Sequence, residues 1–379
     1  MTKQPLQKLF DAMYHGKHSF EDFLQSPVEK NYEVIGTSDF GGRKLFKPKE
    51  NLKLYHRFLN LFLFELLPIN ERVVFSYRKG FSAVNAVQRH TQSKYFFQTD
   101  IQSFFDSIDQ ALTKRTILAG EPYCPIADLT AHLDRIVDLV CIDDSIPVGL
   151  PASAPLSNAV LLNFDNEMER LCQERDLSYS RYADDIIISG QNQGAVQEAG
   201  NAVQEKLHQF SSEKFFIHQG KTRFFQVGGK IKILGMLILP NGRISIDTKK
   251  KNELEVLLFF YLNDREKFKN IVNQAKQRTD AKRDLVEDDY IAYLSGNINY
   301  VDSIDPDYTD SAARGEPIKE RDFSNAGKRL FAHLTAREFT QQQIFEFLIE
   351  KNPASISSLL HALEQFLSTS HALNKQRHD

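Results

Sequence analysis

The chain has little cysteine. Cys124, Cys141 and Cys172 are the only three, and none is placed with metal-ligand spacing. So small and odd a set excludes a disulfide scaffold and predicts reduced thiols. Long apolar runs are missing too. The best one, Phe58 to Leu67, is broken by Asn60 and Glu65 and falls short of the ~20 residues a membrane helix needs. The opening Met1-Thr2-Lys3-Gln4-Pro5 lacks the apolar core of a signal peptide, so a cytosolic protein without a membrane partner is expected. Nor is there an excess of positive charge. The formal net charge is −3, so any site for a polyanion must come from local clusters of Lys and Arg. No internal repeat is visible. What remains is 379 residues, 41% hydrophobic and 26% charged, an ordinary folded composition too long for one core, which implies two or three lobes.

The most informative stretch is Ser180-Arg181-Tyr182-Ala183-Asp184-Asp185-Ile186-Ile187-Ile188-Ser189. Tyr179 to Arg181 and the β-branched Ile186 to Ser189 read as two strands, with Asp184 and Asp185 at the turn between them. Asp-Asp is ordinary turn chemistry. It is also a repelling pair of hard oxygen ligands that suits Mg²⁺ once a third acid joins it. Tyr95-Phe96-Phe97-Gln98-Thr99-Asp100 offers that acid at the end of an aromatic strand, where an Asp is equally a helix cap.

Around these stretches the chain reads as follows. Phe10, Met13 and Tyr14 have helical spacing. Arg43 to Lys49 is a short basic strand ended by Pro48, and Asn51 to Leu67 a helix closed by Pro68. Arg78 and Lys79 precede a helix opening near Ser82, a pattern that favours an anion. Residues 111–147 are helical. Val148 to Val160 is a loop of small residues opening a helix that runs to about Glu174, and small residues let backbone approach a flat ligand. Asn163, Phe164 and Asp165 on that helix face either a site or solvent. Gln193 to Phe210 is amphipathic. Phe215 to Phe225 interleaves basic and aromatic residues. Lys230 to Ile246 is a hairpin around Asn241-Gly242. Helices then cover Lys249 to Leu262 and Tyr290 to Tyr300, Asp302 to Glu316 is a loop, and 321–379 holds two or three amphipathic helices.

Taken together, these strand-end signals resemble a bacterial reverse transcriptase. Asp100-Ile101-x-x-Phe104-Phe105-x-Ser107-Ile108 is similar to the family's motif A, Leu150-Pro151…Ser157-Asn158 to motif B, Tyr182-Ala183-Asp184-Asp185 to motif C, and Lys221-Thr222 to motif D. Leu234-Gly235 resembles the primer-grip hairpin, and Tyr77-Arg78-Lys79-Gly80-x-Ser82 with Arg43…Pro48 the fingers motifs. The resemblance implies an α+β right-hand polymerase. Fingers and N-terminal helices would occupy 1–90, a palm with an antiparallel sheet 91–230 (with 111–147 as a helical insertion), a primer-grip hairpin and helical thumb 231–320, and a C-terminal helical extension 321–379. Gly242 to Ile246 and Leu294 to Val301 are similar to the retron and defence-associated group. The Gln-Gly usual after Leu-Pro is Ala152-Ser153 here, and neither a Val-Thr-Gly triplet near Leu234 nor an Asn-Ala-x-x-His before motif B is clear. These departures point to the unknown-group and abortive-infection reverse transcriptases.

By that resemblance, Asp100, Asp184 and Asp185 with the Ile101 carbonyl hold two Mg²⁺ ions (or Mn²⁺). Lys221 serves the leaving pyrophosphate as acid or as charge shield. Arg78 and Arg43 hold the triphosphate, Pro151 and Ala152 line the nucleotide site, and Phe105 is the steric gate that favours dNTPs. Leu234 and Gly235 seat the primer. Implied partners are an RNA template, expected to be a structured non-coding RNA, dNTPs and a DNA product, with 321–379 open to a homo-oligomer or a partner protein. Nucleic-acid affinity is expected from the fingers, from Lys214 to Lys232, and from Lys249 to Lys251. The location implied is the bacterial cytoplasm, and the role implied is antiphage defence. Competing readings are a template-independent or protein-primed DNA polymerase, a retron enzyme making RNA-linked cDNA, an RNA-templated RNA polymerase, and a silent RNA-binding subunit.

Overall fold

A computed structural model of the chain describes residues 2–35, 44–228, 231–277 and 285–305. It separates into two compact units, Met1–Leu234 with Pro240–Gly242, and Gly235–Leu239 with Arg243–Asp379. Within the first unit the residues expected as fingers and as palm are not separate bodies. Leu6, Phe58, Phe97, Ile186 and Phe215 belong to a single apolar core. Arg43, residues 321–379 and the 306–316 part of the expected loop lie outside the described residues.

The centre of the first unit is a four-stranded antiparallel sheet in the order Ser178–Tyr182, Asp185–Gly190, Tyr95–Asp100, Arg223–Gln226. Strict alternation would leave every second side chain wet. Here Ile186, Ile187 and Ile188 are all fully buried, and Phe96 and Phe97 nearly so. The sheet is therefore covered on both faces, and each isoleucine contributes roughly 1.5–3 kcal/mol of burial. Helix Gln193–Phe210 lies against the central strand at Gly200, where a Cβ would come within 2.6 Å of the Phe97 ring. Only glycine permits that approach.

Two helices read as continuous are broken. The Asn51 to Leu67 helix is Glu50–Phe62 followed by a 3-10 turn Phe64–Leu66, because Leu63 takes φ −139° and ψ −67°. The helix read from the small-residue loop to Glu174 is two, Ser153–Ala159 and Leu162–Gln173. At the break the Ser211 hydroxyl donates to the Val160 carbonyl at 2.9 Å, which satisfies an acceptor the helix no longer uses. The N-terminal helices Leu6–Tyr14 and Phe20–Gln25 meet Glu50–Phe62 through Phe10, Phe23 and Phe58, whose rings lie 5.1–5.9 Å apart.

In the second unit, strands Met236–Ile238 and Ile244–Ile246 form an antiparallel hairpin. Helices Thr248–Asn263, Arg265–Gln277 and Glu287–Ile304 follow. The last continues past Asp302, where a loop was expected. Its end is held by the buried Asp305 carboxylate, which accepts from Arg243 at 2.9 Å, the Ser245 hydroxyl at 2.9 Å and Lys251 at 2.7 Å.

Candidate active site

The sheet brings together acids that lie far apart in sequence. Asp100 ends the central strand and pairs in register with Asp185, the first residue of the next strand. Tyr182 pairs with Asp185, so Ala183 and Asp184 form the turn. Ala183 has φ 55°, a left-handed conformation that costs a residue with a Cβ some strain. The Ile101 amide donates to the Asp184 carbonyl at 3.0 Å, and the His218 amide to the Asp100 carbonyl at 2.8 Å. The Gln102 amide donates to the Phe216 carbonyl at 2.7 Å, so the 215–218 segment closes the other side of the strand end.

Asp100 is only 5% exposed. One of its carboxylate oxygens, Oδ2, accepts from the Lys221 ammonium. The other, Oδ1, is buried and has no hydrogen-bond partner among the described residues. Burial, then the charges of Asp184 and Asp100, push the Asp185 carboxyl up to about 6, while Gln98 and Lys221 pull it the other way. The floor is thus an accumulation of negative charge, partly offset by one lysine. That donor set suits a hard divalent cation. Among the described residues, no three Asp, Glu, His or Cys side chains form a finished cation cage. Lys221 comes from the single turn Gln219–Lys221, set beside the strand end by a Thr222–Thr99 hydroxyl contact of 2.7 Å.

The other expected residues fare differently. Phe105 sits half-buried just past the strand, its ring edge-on to Phe104 at 5.6 Å between centroids. Pro151 is exposed. Ala152 is fully buried and its amide donates to His56 Nδ1 at 3.3 Å, so it is a packing residue and Pro151 alone of the two reaches the surface. Arg78 is committed to its own loop. Its guanidinium donates to the Glu71 and Val74 carbonyls at 2.7 Å each and lies 4.2 Å over the Phe81 ring. Leu234 and Gly235 take φ 49° and 82° at the junction of the two units.

The sequence left Asp165 facing either a site or solvent and gave His90 no role; the structure buries both. His90 is fully buried between the Ser180 and Ser189 hydroxyls, 2.7 Å from each, and joins the two strands of the Asp-Asp hairpin. Burial pushes its imidazole down to about 3, and that of His56 down to about 4. Arg181 and Asp165 form an ion pair with both side chains fully buried. An arginine inside a strand otherwise reading as buried was the available signal, since such a charge requires a partner.

A central strand ending in an acid opposite an Asp-Asp turn, in an antiparallel sheet flanked by helices, defines the palm of a nucleic-acid polymerase. The family model for reverse transcriptase (RNA-dependent DNA polymerase) matches residues 43–238. The chain belongs to that family, and it is an RNA-directed DNA polymerase of α+β right-hand architecture that takes an RNA template and dNTPs. It is similar to the retron Ec83 reverse transcriptase of Escherichia coli, 23% identical over 251 residues, covering 63% of this chain and 78% of that one. It is also similar to the retron Mx65 reverse transcriptase of Myxococcus xanthus, 26% identical over 290 residues, covering 72% of this chain and 61% of that one. Among solved structures, apo telomerase from Candida tropicalis aligns with a TM-score of 0.41 at 12% identity, covering 84% of this chain and 67% of that one. Among the described residues no helix is long and apolar enough to cross a membrane.

Proposed function

We propose that this reverse transcriptase copies a dedicated, structured non-coding RNA into DNA as part of a bacterial defence against phage, with Asp100, Asp184 and Asp185 holding two divalent cations. The observation that carries the site assignment is the register that sets Asp100 opposite Asp185, beside the Asp184 turn. The buried, unpartnered Asp100 Oδ1 and the raised Asp185 fit a site that takes up positive charge. Mg²⁺ bound there would lower the pKa of the primer 3′-hydroxyl and neutralise the triphosphate. The chain's own part is positioning and charge. Lys221, next to Asp100, is placed to protonate or shield the leaving pyrophosphate. Phe105 would serve as the gate, its ring excluding a ribose 2′-hydroxyl. Arg78 reaches a triphosphate only by giving up its bonds to the Glu71 and Val74 carbonyls.

The retron relatives support a second reading, in which the DNA product stays joined to the RNA. One experiment separates the two and tests the first. The protein is purified from its host, the nucleic acid that comes with it is sequenced, and the DNA is tested for a covalent link to RNA. Free cDNA of one recurrent RNA supports the main reading, and RNA-linked cDNA the second. DNA that matches no RNA sinks both.

A further inference from the structure

Arg181 makes more contacts than its ion pair requires. Its Nε and one terminal nitrogen hold Asp165 at 2.8 and 2.6 Å. The other terminal nitrogen donates to the Ala183 carbonyl at 2.9 Å and to Asn158 Oδ1 at 3.3 Å. The Tyr179 hydroxyl donates to Asp165 at 2.8 Å. Asn158 in turn donates to the Ser76 carbonyl at 2.8 Å and accepts from the Ser76 hydroxyl at 3.0 Å. The main chain repeats the link, because the Arg181 amide donates to the Val73 carbonyl at 2.8 Å and the Phe75 amide to the Arg181 carbonyl at 3.1 Å. Arg181, Asp165, Asn158 and Ser76 are all 2% exposed or less.

A buried ion pair is a poor stabiliser, and an apolar pair of similar volume is often as good. What this one adds is its spare donors, which no apolar side chain supplies. We propose that Arg181 is a positioning residue of the active site: anchored by Asp165, it fixes the Ala183 carbonyl, hence the strained turn that presents Asp184, and through Asn158 it couples that turn to the Ser76–Tyr77 loop. Tyr77 fits the scheme. It takes φ 54° and its ring is half exposed, next to Ser76 in the loop that Asn158 holds. Arg181 thus links the acid turn to Asn158, near the end of helix Ser153–Ala159, and Asn158 links on to the loop before helix Ala83–Gln88.

The inference rests on the assignment of Asp184, and Asp184→Ala is the control for that assignment. The test is the double variant Arg181→Met/Asp165→Leu, which removes both charges together and leaves neither stranded. Full-length proteins are compared by thermal unfolding, by Mn²⁺ titration calorimetry, by template–primer affinity, and by kcat and KM for dNTP. The expected result is a folded protein with unchanged template–primer affinity and dNTP KM, weaker Mn²⁺ binding, and kcat at least about tenfold lower. If it does not fold, Arg181→Lys carries the test. That variant keeps the charge but not the planar fork, and the same split between kcat and KM is expected. Wild-type kcat and Mn²⁺ affinity in either folded variant overturn the proposal. Full incorporation by Asp184→Ala overturns the site assignment instead.

Discussion

Asp100 and Asp185 stand opposite each other across two neighbouring antiparallel strands, although they lie 85 positions apart in sequence. Their pairing makes the end of the sheet a focus of negative charge, since Asp184 adds a third carboxylate one residue away. Replacing Asp100 or Asp184 by Ala is expected to lower dNTP incorporation at least ~10³-fold, because charge stabilisation of several kcal/mol is removed. Primer extension on an RNA template measures it, and near-normal extension by either variant contradicts the site.

Lys221 partners Asp100 while more than half its side chain is exposed, at 53%. Lys221→Ala is expected to reduce kcat about 10²-fold, in the range of a lost general acid, with little change in dNTP KM. Lys221→Arg separates the two roles. An arginine retains the positive charge but does not give up its proton. Wild-type kcat in Lys221→Arg identifies a charge shield; a loss like that of Ala identifies an acid.

Phe105 packs edge-on to Phe104 just past the strand that ends in Asp100. If Phe105 is the steric gate proposed above, Phe105→Ala is expected to raise NTP incorporation relative to dNTP at least about tenfold, since the clash with the 2′-hydroxyl would be removed. Competition between dCTP and CTP on one template gives the ratio. An unchanged ratio removes Phe105 from the nucleotide site.

His90 and His56 are kept neutral by burial, at about 3 and about 4. In the unfolded chain both take up a proton near pH 6.5. Below that pH the unfolded state therefore binds more protons than the folded state, and stability falls as pH falls. By pH 5 each contributes a loss of about 2 kcal/mol, and the loss continues until the folded-state values are reached. Denaturant unfolding between pH 7 and pH 5 measures it. The slope is expected to shrink in His56→Gln, and an unchanged slope excludes that histidine as a source.

Affinity for RNA is expected to depend on local basic side chains, since the net charge is −3. If six or more phosphates are neutralised, affinity drops about 10³-fold or more between 50 and 200 mM salt. Binding that ignores salt across that range contradicts a backbone-tracking surface.

Much of the site was legible because strand-end chemistry is local. A β-branched run after Tyr182-Ala183-Asp184-Asp185 and an aromatic run before Asp100 each announce a strand and what stands at its tip. Helix Gln193–Phe210 was legible because its apolar spacing is local; the structure adds the Asn192 side chain as its N-terminal cap. The breaks at Leu63 and Leu161 were not; at the second, the freed Val160 carbonyl is satisfied by Ser211, a residue distant in sequence. The burial of Ala152 and the bonds of Arg78 to its own loop were not legible for a related reason: motif position says which loop a residue occupies, not which way its side chain and amide are used.

The sequence by itself determined the kind of chemistry, because carboxylates, a lysine and a bulky ring at strand ends and turns restrict what the chain can bind. Tertiary structure alone decided which of them meet. The Asp100–Asp185 register, the neutral His90 between two serines, and the Arg181 fork under the acid turn all depend on segments far apart along the chain. Local propensity carries no information about such partners; closing the sheet and excluding water from it selects them.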